Sequence, residues 1–203
     1  MGLSPYSGEG IAPKFGDFEC HRHWMETTFH YPMNKWYSDG EHMNITYWPM
    51  DYPPLCAYSH WFMAKIISKI APDAIKLTSS YGYNSSLYRS IMRTALIILE
   101  LLALVPPLLK LLVALYPKAS TTTRRLYLCI YLTIPSLIFV DHGHFQPNSA
   151  MHGMVLWAVY FMITSRIEWG VVFMVGAVNF KQMALYFGMP FAFMTLGTLY
   201  KLA

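Results

Sequence analysis

The chain has 203 residues, 55% of them hydrophobic and 13% charged; soluble domains carry roughly 25% charged residues, so a protein with water as its only solvent is excluded. The formal charge of +4, from 15 Lys+Arg against 11 Asp+Glu, is scattered singly or in pairs, which excludes the clustered basic face of a nucleic-acid binder. Apolar residues dominate 91–203, whereas 1–90 is aromatic, polar and rich in Pro and Tyr. The expectation is an all-α membrane protein in two parts: a polar cap over 1–90 with short and interfacial helices, and a transmembrane region over 91–203 of about five segments.

Met1-Gly2-Leu3-Ser4-Pro5-Tyr6 has neither the basic nor the apolar region of a signal peptide. Gly2 to Lys14 lacks periodicity and reads as irregular chain. It leads into Phe15-Gly16-Asp17-Phe18-Glu19-Cys20-His21-Arg22-His23-Trp24-Met25-Glu26, a dense polar head. The spacing predicts a helix from Asp17 to Phe29 with i,i+4 pairs Asp17–His21, Glu19–His23 and Arg22–Glu26, ended by Tyr31-Pro32. Trp36-Tyr37 to Trp48-Pro49 is an aromatic loop of the kind found at bilayer interfaces. After Asp51-Tyr52-Pro53-Pro54, residues Leu55 to Ile70 form an amphipathic interfacial helix, with Trp61, Phe62, Ile66 and Ile70 apolar and Lys65 and Lys69 placed to snorkel.

Cys20 and Cys56 fall in the cap and are candidates for pairing in an oxidising lumen, although spacing does not establish disulfide geometry; Cys129 lies in an apolar run. The sequons Asn44-Ile45-Thr46 and Asn84-Ser85-Ser86 are weak signs that the cap is luminal.

Ile91 to Tyr116 is the first span, kinked at Pro106-Pro107. Arg93 and Lys110 lie near its ends, where they can reach headgroups, and Glu100 should face protein, not lipid. Lys118 to Arg125 is a basic loop that the positive-inside rule assigns to the cytoplasm. Leu126 to Val140 then returns, bringing out Asp141-His142-Gly143-His144-Phe145-Gln146-Pro147-Asn148. Ala150 to Thr164 goes back, Arg166 marks a cytoplasmic turn, and Trp169 to Val178, short for a span, leads to Asn179-Phe180-Lys181-Gln182. Met183 to Tyr200 crosses last. Three polar clusters thereby share one non-cytoplasmic face.

Each cluster also has a plain reading as solvated loop or interfacial capping. A metal site from His142, His144 and Asp141, or from His21, His23 and Cys20, has suitable ligand types without a recognised ligand spacing. No G-x-S-x-G elbow supports a serine nucleophile. Group transfer between lipid-borne substrates remains: one carboxylate acts as base on an acceptor hydroxyl, while Lys181, Arg22 or His144 offsets charge on a phosphate leaving group. Asp17 is the first acid of the dense head, and Glu19 and Asp51 are chemically equivalent to it. A non-catalytic lipid-binding or scaffolding protein, and a transporter relaying protons through Glu100 and the histidines, are the alternatives from other classes.

Gly16-Asp17-Phe18-Glu19, Arg22-His23-Trp24-Met25-Glu26, Trp36-Tyr37, Asp51-Tyr52-Pro53-Pro54-Leu55, Asp141-His142-Gly143-His144-Phe145-Gln146 and Lys181-Gln182-Met183 resemble, in order, the endoplasmic-reticulum glucosyltransferases that use dolichyl phosphate glucose. The likeness is greater to the enzyme adding the first, α-1,3-linked glucose to the nine-mannose dolichyl-pyrophosphate oligosaccharide than to its sibling adding the second. It implies a multi-spanning membrane fold of the C type of glycosyltransferase, in the endoplasmic-reticulum membrane with its active site facing the lumen. It also implies an inverting transfer without nucleotide sugar, cofactor or metal. Asp17 matches the catalytic aspartate. Glu19, Arg22, His23, Trp24, Asp51, Tyr52, His144, Gln146, Lys181 and Gln182 are the expected substrate-binding residues, Lys181 on its charge and predicted face. Cys20 and His21 stand where the family has alanine and glutamine, and Pro147 where tyrosine is usual. The family has a helix before the cap and further spans after Ala203, so the chain is expected to be truncated at both ends.

Overall fold

The computed structural model describes residues 4–40 and 46–202. Met1-Gly2-Leu3, Glu41 and the Asn44-Ile45 part of the first sequon lie outside them. The described residues are helical, without a strand: α1 (Gly16–His30), α2 (Pro54–Ile70), α3 (Ser86–Ala103), α4 (Val105–Leu115), α5 (Thr121–Leu132), α6 (Asn148–Ile163), α7 (Ile167–Phe180) and α8 (Gly188–Leu202). The chain divides into two compact units, Met1–Leu96 with His142–Gln146, and Ile97–Asp141 with Pro147–Ala203.

In the first unit α1 packs on α2. Phe15 (φ 53°) and Gly16 (φ 74°) are both left-handed, so the chain turns sharply into α1 with Asp17 in its first turn. Only glycine fits at 16, because a Cβ there would stand 2.0 Å from the Ser7 carbonyl oxygen. Asp17 and Glu19 in the first turn and His30 in the last suit the helix dipole, and Tyr31, extended ahead of Pro32, ends the helix. Pro53 and Pro54 open α2, where a missing N–H costs nothing. Its buried face carries Cys56, Ala57, His60, Ala64 and Ile67, while Leu55, Tyr58, Phe62, Ile66 and Ile70 form an exposed apolar stripe. The Lys65 ammonium stands 3.6 Å over the Trp61 ring.

Residues 4–14 are irregular but tied down: Glu9 pairs with Arg89 at 2.7 Å, and the Arg93 guanidinium donates to the Ser4 carbonyl at 2.9 Å. Arg93 therefore does not reach for headgroups. It is buried, also donates to the His142 carbonyl, and lies 5.0 Å from the Phe145 ring centre; exposed carbonyls of neighbouring loops outcompete solvent for its fork of donors.

Among the described residues two helices are long and apolar enough to cross a membrane, Ser86–Leu115 and Gln182–Tyr200, and a third if the pair Thr121–Leu132 and Leu137–Gly143 is one bent span. The first begins five residues earlier than hydropathy suggests and includes the Pro106-Pro107 break. There the prolines fall in the first turn of α4, and the Ala103 carbonyl, four residues before Pro107, loses its helical donor. Within the second unit, Gly153 of α6 comes so close to that oxygen that a Cβ would lie 2.1 Å from it. Glu100 is buried, as its cost in lipid requires.

Lys118–Arg125 is not a loop throughout. Ser120 caps α5, its side chain accepting from the Thr123 N–H, and Arg124 donates to the Tyr116 and Pro117 carbonyls at 2.9 and 2.8 Å, closing the end of α4. The span expected over Leu126–Val140 is broken: α5 stops at Leu132 ahead of Pro135, and the π-helical turn Leu137–Gly143 leaves at 53°. At about 1.5 Å per residue, α6 and α7 fall short of a bilayer core of roughly 30 Å. They pack on each other through Trp157, Phe161 and Phe173.

Candidate active site

Within the first unit, three segments distant in sequence meet at Asp17. The Gln146 amide donates to Asp17 Oδ2 at 3.2 Å, the Tyr52 hydroxyl donates to Gln146 Oε1 at 2.8 Å, and His144 Nδ1 lies 3.7 Å from the same Asp17 oxygen. The Asp17 and His144 side chains are 42% and 48% exposed, so this carboxylate and imidazole are open to a ligand. Phe145 sets the geometry between them. It is buried against Phe18 (4.8 Å between ring centres) and edge-on to Tyr6, and its left-handed backbone (φ 61°) turns residues 144 and 146 back toward α1. A bulky residue held there is strained, and the packing of its ring in the core over-determines the turn.

Behind this front, α1 is buried on every side from Phe18 to Thr28. Arg22 is 0% exposed. It forks onto both Glu19 oxygens at 2.7 Å, reaches Glu26 at 2.7 Å, and donates to the Ala74 carbonyl and to Ser80 Oγ. Tyr47 donates to Glu19 Oε1 at 2.9 Å, and the Thr78 N–H donates to Glu26 at 2.7 Å. Burial would raise the Glu26 carboxyl, but His23, the Arg22 charge and these hydrogen bonds hold it down at about 2. Burial would likewise lower the guanidinium, yet Glu19 and then Glu26 bind its proton more firmly than usual. The expected pair Arg22–Glu26 forms, whereas Glu19 pairs with Arg22 instead of His23, and Asp17 turns outward instead of meeting His21.

His21 pairs across the α1–α2 interface. Its Nδ1 lies 3.0 Å from His60 Nε2, with the rings nearly parallel, and His60 Nδ1 lies 2.9 Å from the Cys56 carbonyl. A carbonyl only accepts, so His60 carries its proton on Nδ1 and His21 donates to Nε2. Desolvation depresses His60 to about 4 and pushes the Cys20 thiol well up, with Asp51 and Asp17 adding to it. Cys20 and Cys56 are buried and form no disulfide, so the pairing considered from sequence is absent: each thiol is accommodated in helix packing. No group of three or more metal-ligating side chains forms among the described residues.

The remaining residues divide plainly. Trp24 is buried, donating to the Pro49 carbonyl and packing edge-on against Tyr52 at 4.9 Å. His23 is buried beside Tyr47 and Tyr81. Asp51 is exposed just ahead of Tyr52; burial and the Asp51 charge hold the Tyr52 phenol firmly protonated. Lys181 and Gln182 belong to the second unit. There Asn148 and the Ser149 N–H donate to the buried Asp141 carboxylate at 2.8 Å each, and Lys181 donates to Asn148 Oδ1 at 2.6 Å. Gln182 is exposed. His60, Tyr47 and the turned backbone of Phe145 escape sequence reasoning, since nothing local marks a histidine on an apolar helix face or a left-handed phenylalanine.

Residues 9–202 match the ALG6, ALG8 glycosyltransferase family. The chain belongs to this family. It is 38% identical, over 99% of its length, to the dolichyl pyrophosphate Man9GlcNAc2 alpha-1,3-glucosyltransferase of Gallus gallus. It is 37% identical over 94% to the probable enzyme of that name from Caenorhabditis elegans, and 38% over 99% to that of Schizosaccharomyces pombe. It spans 37–39% of the length of these three relatives.

Proposed function

We propose that the protein is an inverting glucosyltransferase of the endoplasmic-reticulum membrane, with a C-type multi-spanning fold and its site facing the lumen. It takes glucose from dolichyl phosphate glucose and adds it to the mannose-terminated dolichyl-pyrophosphate oligosaccharide, forming the first α-1,3 linkage. The observation that carries this reading is Asp17: a half-exposed carboxylate whose Oδ2 is held by Gln146 and neighboured by His144. Asp17 Oδ1 takes the proton of the acceptor hydroxyl as its oxygen attacks glucose C1, and the C1–phosphate bond breaks with its electron pair leaving on dolichyl phosphate. One displacement from a β-linked donor gives the α product and requires no enzyme nucleophile. Phosphate is a good leaving group, so a single donor suffices for its developing charge. His144, exposed beside Asp17, can offer a ring N–H there, whereas the Arg22 donors are consumed in the buried network and Lys181 is buried on Asn148.

The test is transfer from dolichyl phosphate glucose in membranes carrying the product of the complete coding sequence. Asp17→Asn is expected to lower turnover at least about a thousandfold, in the range for loss of a general base, with unchanged protein level. Full activity in that variant removes Asp17 from the mechanism.

A further inference from the structure

Every residue of the 52–146–17 chain was read from sequence as a substrate contact or a base. The hydrogen bonds give two of them another task. The Asp17 carboxylate only accepts, so the end of Gln146 that faces its Oδ2 is the NH2. That turns Oε1 toward Tyr52, and the phenol, which can donate or accept, donates to it. Tyr52 is itself held from behind: its ring packs on buried Trp24, and its carbonyl accepts from Tyr37 at 2.8 Å. Gln146 is held by the turned backbone of Phe145, whose ring is locked in the core.

We infer that Tyr52 and Gln146 are positioning residues: the Tyr52→Gln146→Asp17 chain occupies Oδ2 with a neutral donor and leaves Oδ1 as the oxygen that meets the acceptor hydroxyl. This rests on Asp17 being the base. Without the donor, the carboxylate rotates about its last bond and presents neither oxygen in one place, and misplacement of a reacting group by about 1 Å costs up to a hundredfold. A positioning role places the loss on kcat, because a misaimed base leaves ground-state binding unchanged, whereas a substrate contact would move KM.

Gln146→Glu is the discriminating variant, because the introduced carboxyl is the same shape and donates only while protonated. Gln146→Ala is expected to lower kcat by tenfold or more at every pH with KM within about twofold, and Tyr52→Phe to do the same more weakly. In Gln146→Glu, kcat should stay near the parent's at pH 5.5 and fall by tenfold or more toward pH 8, as the carboxyl facing Asp17 loses its proton. Other titratable groups around the pair are His144, Asp51 and Cys56, together with Glu19 and Cys20 on α1. All are common to both proteins, so the variant-to-parent ratio isolates the new group. A ratio constant with pH, or an effect confined to KM, overturns the inference. Asp17→Asn measured alongside separates the failures: if it stays active the transferase mechanism fails, and if it is dead while the Gln146→Glu ratio is flat, only the positioning chain fails. Detergent-purified variants that unfold at the parent temperature keep a folding defect from imitating either result.

Discussion

The two units solve opposite problems. In the first, a helix that is half polar is buried along eleven consecutive residues, Phe18 to Thr28, and survives because each charge is met inside: Glu19 and Glu26 face Arg22, with a carbonyl and a hydroxyl completing the set. In the second, α7 and α8 are apolar yet leave Val172, Val175, Phe193, Leu196 and Tyr200 exposed. Burial in one is bought with ion pairs and hydrogen bonds; exposure in the other is tolerable where the solvent is hydrocarbon. Burial and polarity therefore do not sort this protein's residues as they would in a water-soluble one, and the effect of a mutation should depend on which unit it enters.

Arg22→Met breaks this contrast hardest. It strands two buried carboxylates, and loss of one partner from such a network costs about 3–5 kcal/mol; the expected outcome is a protein that fails to accumulate, read by quantitative blot against the parent. Acid is the next probe of the first unit. His60 has a folded value of about 4 against an ordinary 6.5, so the unfolded chain takes the proton first. Its stabilisation is complete above about 6.5 and is lost as pH falls toward 4. Glu26, depressed from 4.5 to about 2, contributes fully above about 4.5 and fails only below it. The thermal midpoint of the purified protein should thus drop between pH 7 and pH 4.5, and His60→Asn, which keeps a donor for the Cys56 carbonyl, should flatten that drop. A midpoint as steep in the variant would place the acid-sensitive group elsewhere.

The smallest effect sharpens the contrast from the other side. Gly153→Ala sets a methyl 2.1 Å from the Ala103 oxygen, and forced repacking of this kind costs about 1–3 kcal/mol. Gly197→Ala, with nothing within 4 Å of the added carbon, should leave the midpoint unchanged. Equal behaviour of the two variants would mean that α6 can move away from the α3–α4 break freely.

Much of the first unit was legible in sequence. The predicted helix over Asp17–Phe29 differs by one residue at each end from α1, because Tyr31-Pro32 can only stop a helix there, and α2 follows from its proline pair and apolar spacing. Of the three polar clusters read from sequence, those of Asp17 and of His144 and Gln146 meet within the first unit, while Lys181 belongs to the second. What sequence concealed was partner choice. At i,i+3 and i,i+4 a carboxylate has two candidate cations, and the planar fork of Arg22 took Glu19, expected to pair with His23, in addition to its own expected partner Glu26. Pro135 is a breaker hidden in an apolar run, and Arg124-Arg125 reads as loop from charge alone although Ser120, two residues beyond Lys118, caps a helix that includes both.

The sequence distances inside the first unit also impose an order of assembly. The Arg22 network is complete once Ser80 has been made, 58 residues later, whereas Asp17 must wait for Gln146, 129 residues on. A chain emerging from the ribosome N-terminus first can close its ionic scaffold before its amide arrives. The carboxylate proposed as the base is thus the last part of its unit to gain its partner, and chains interrupted before residue 146 hold the Arg22 network without the amide that meets Asp17.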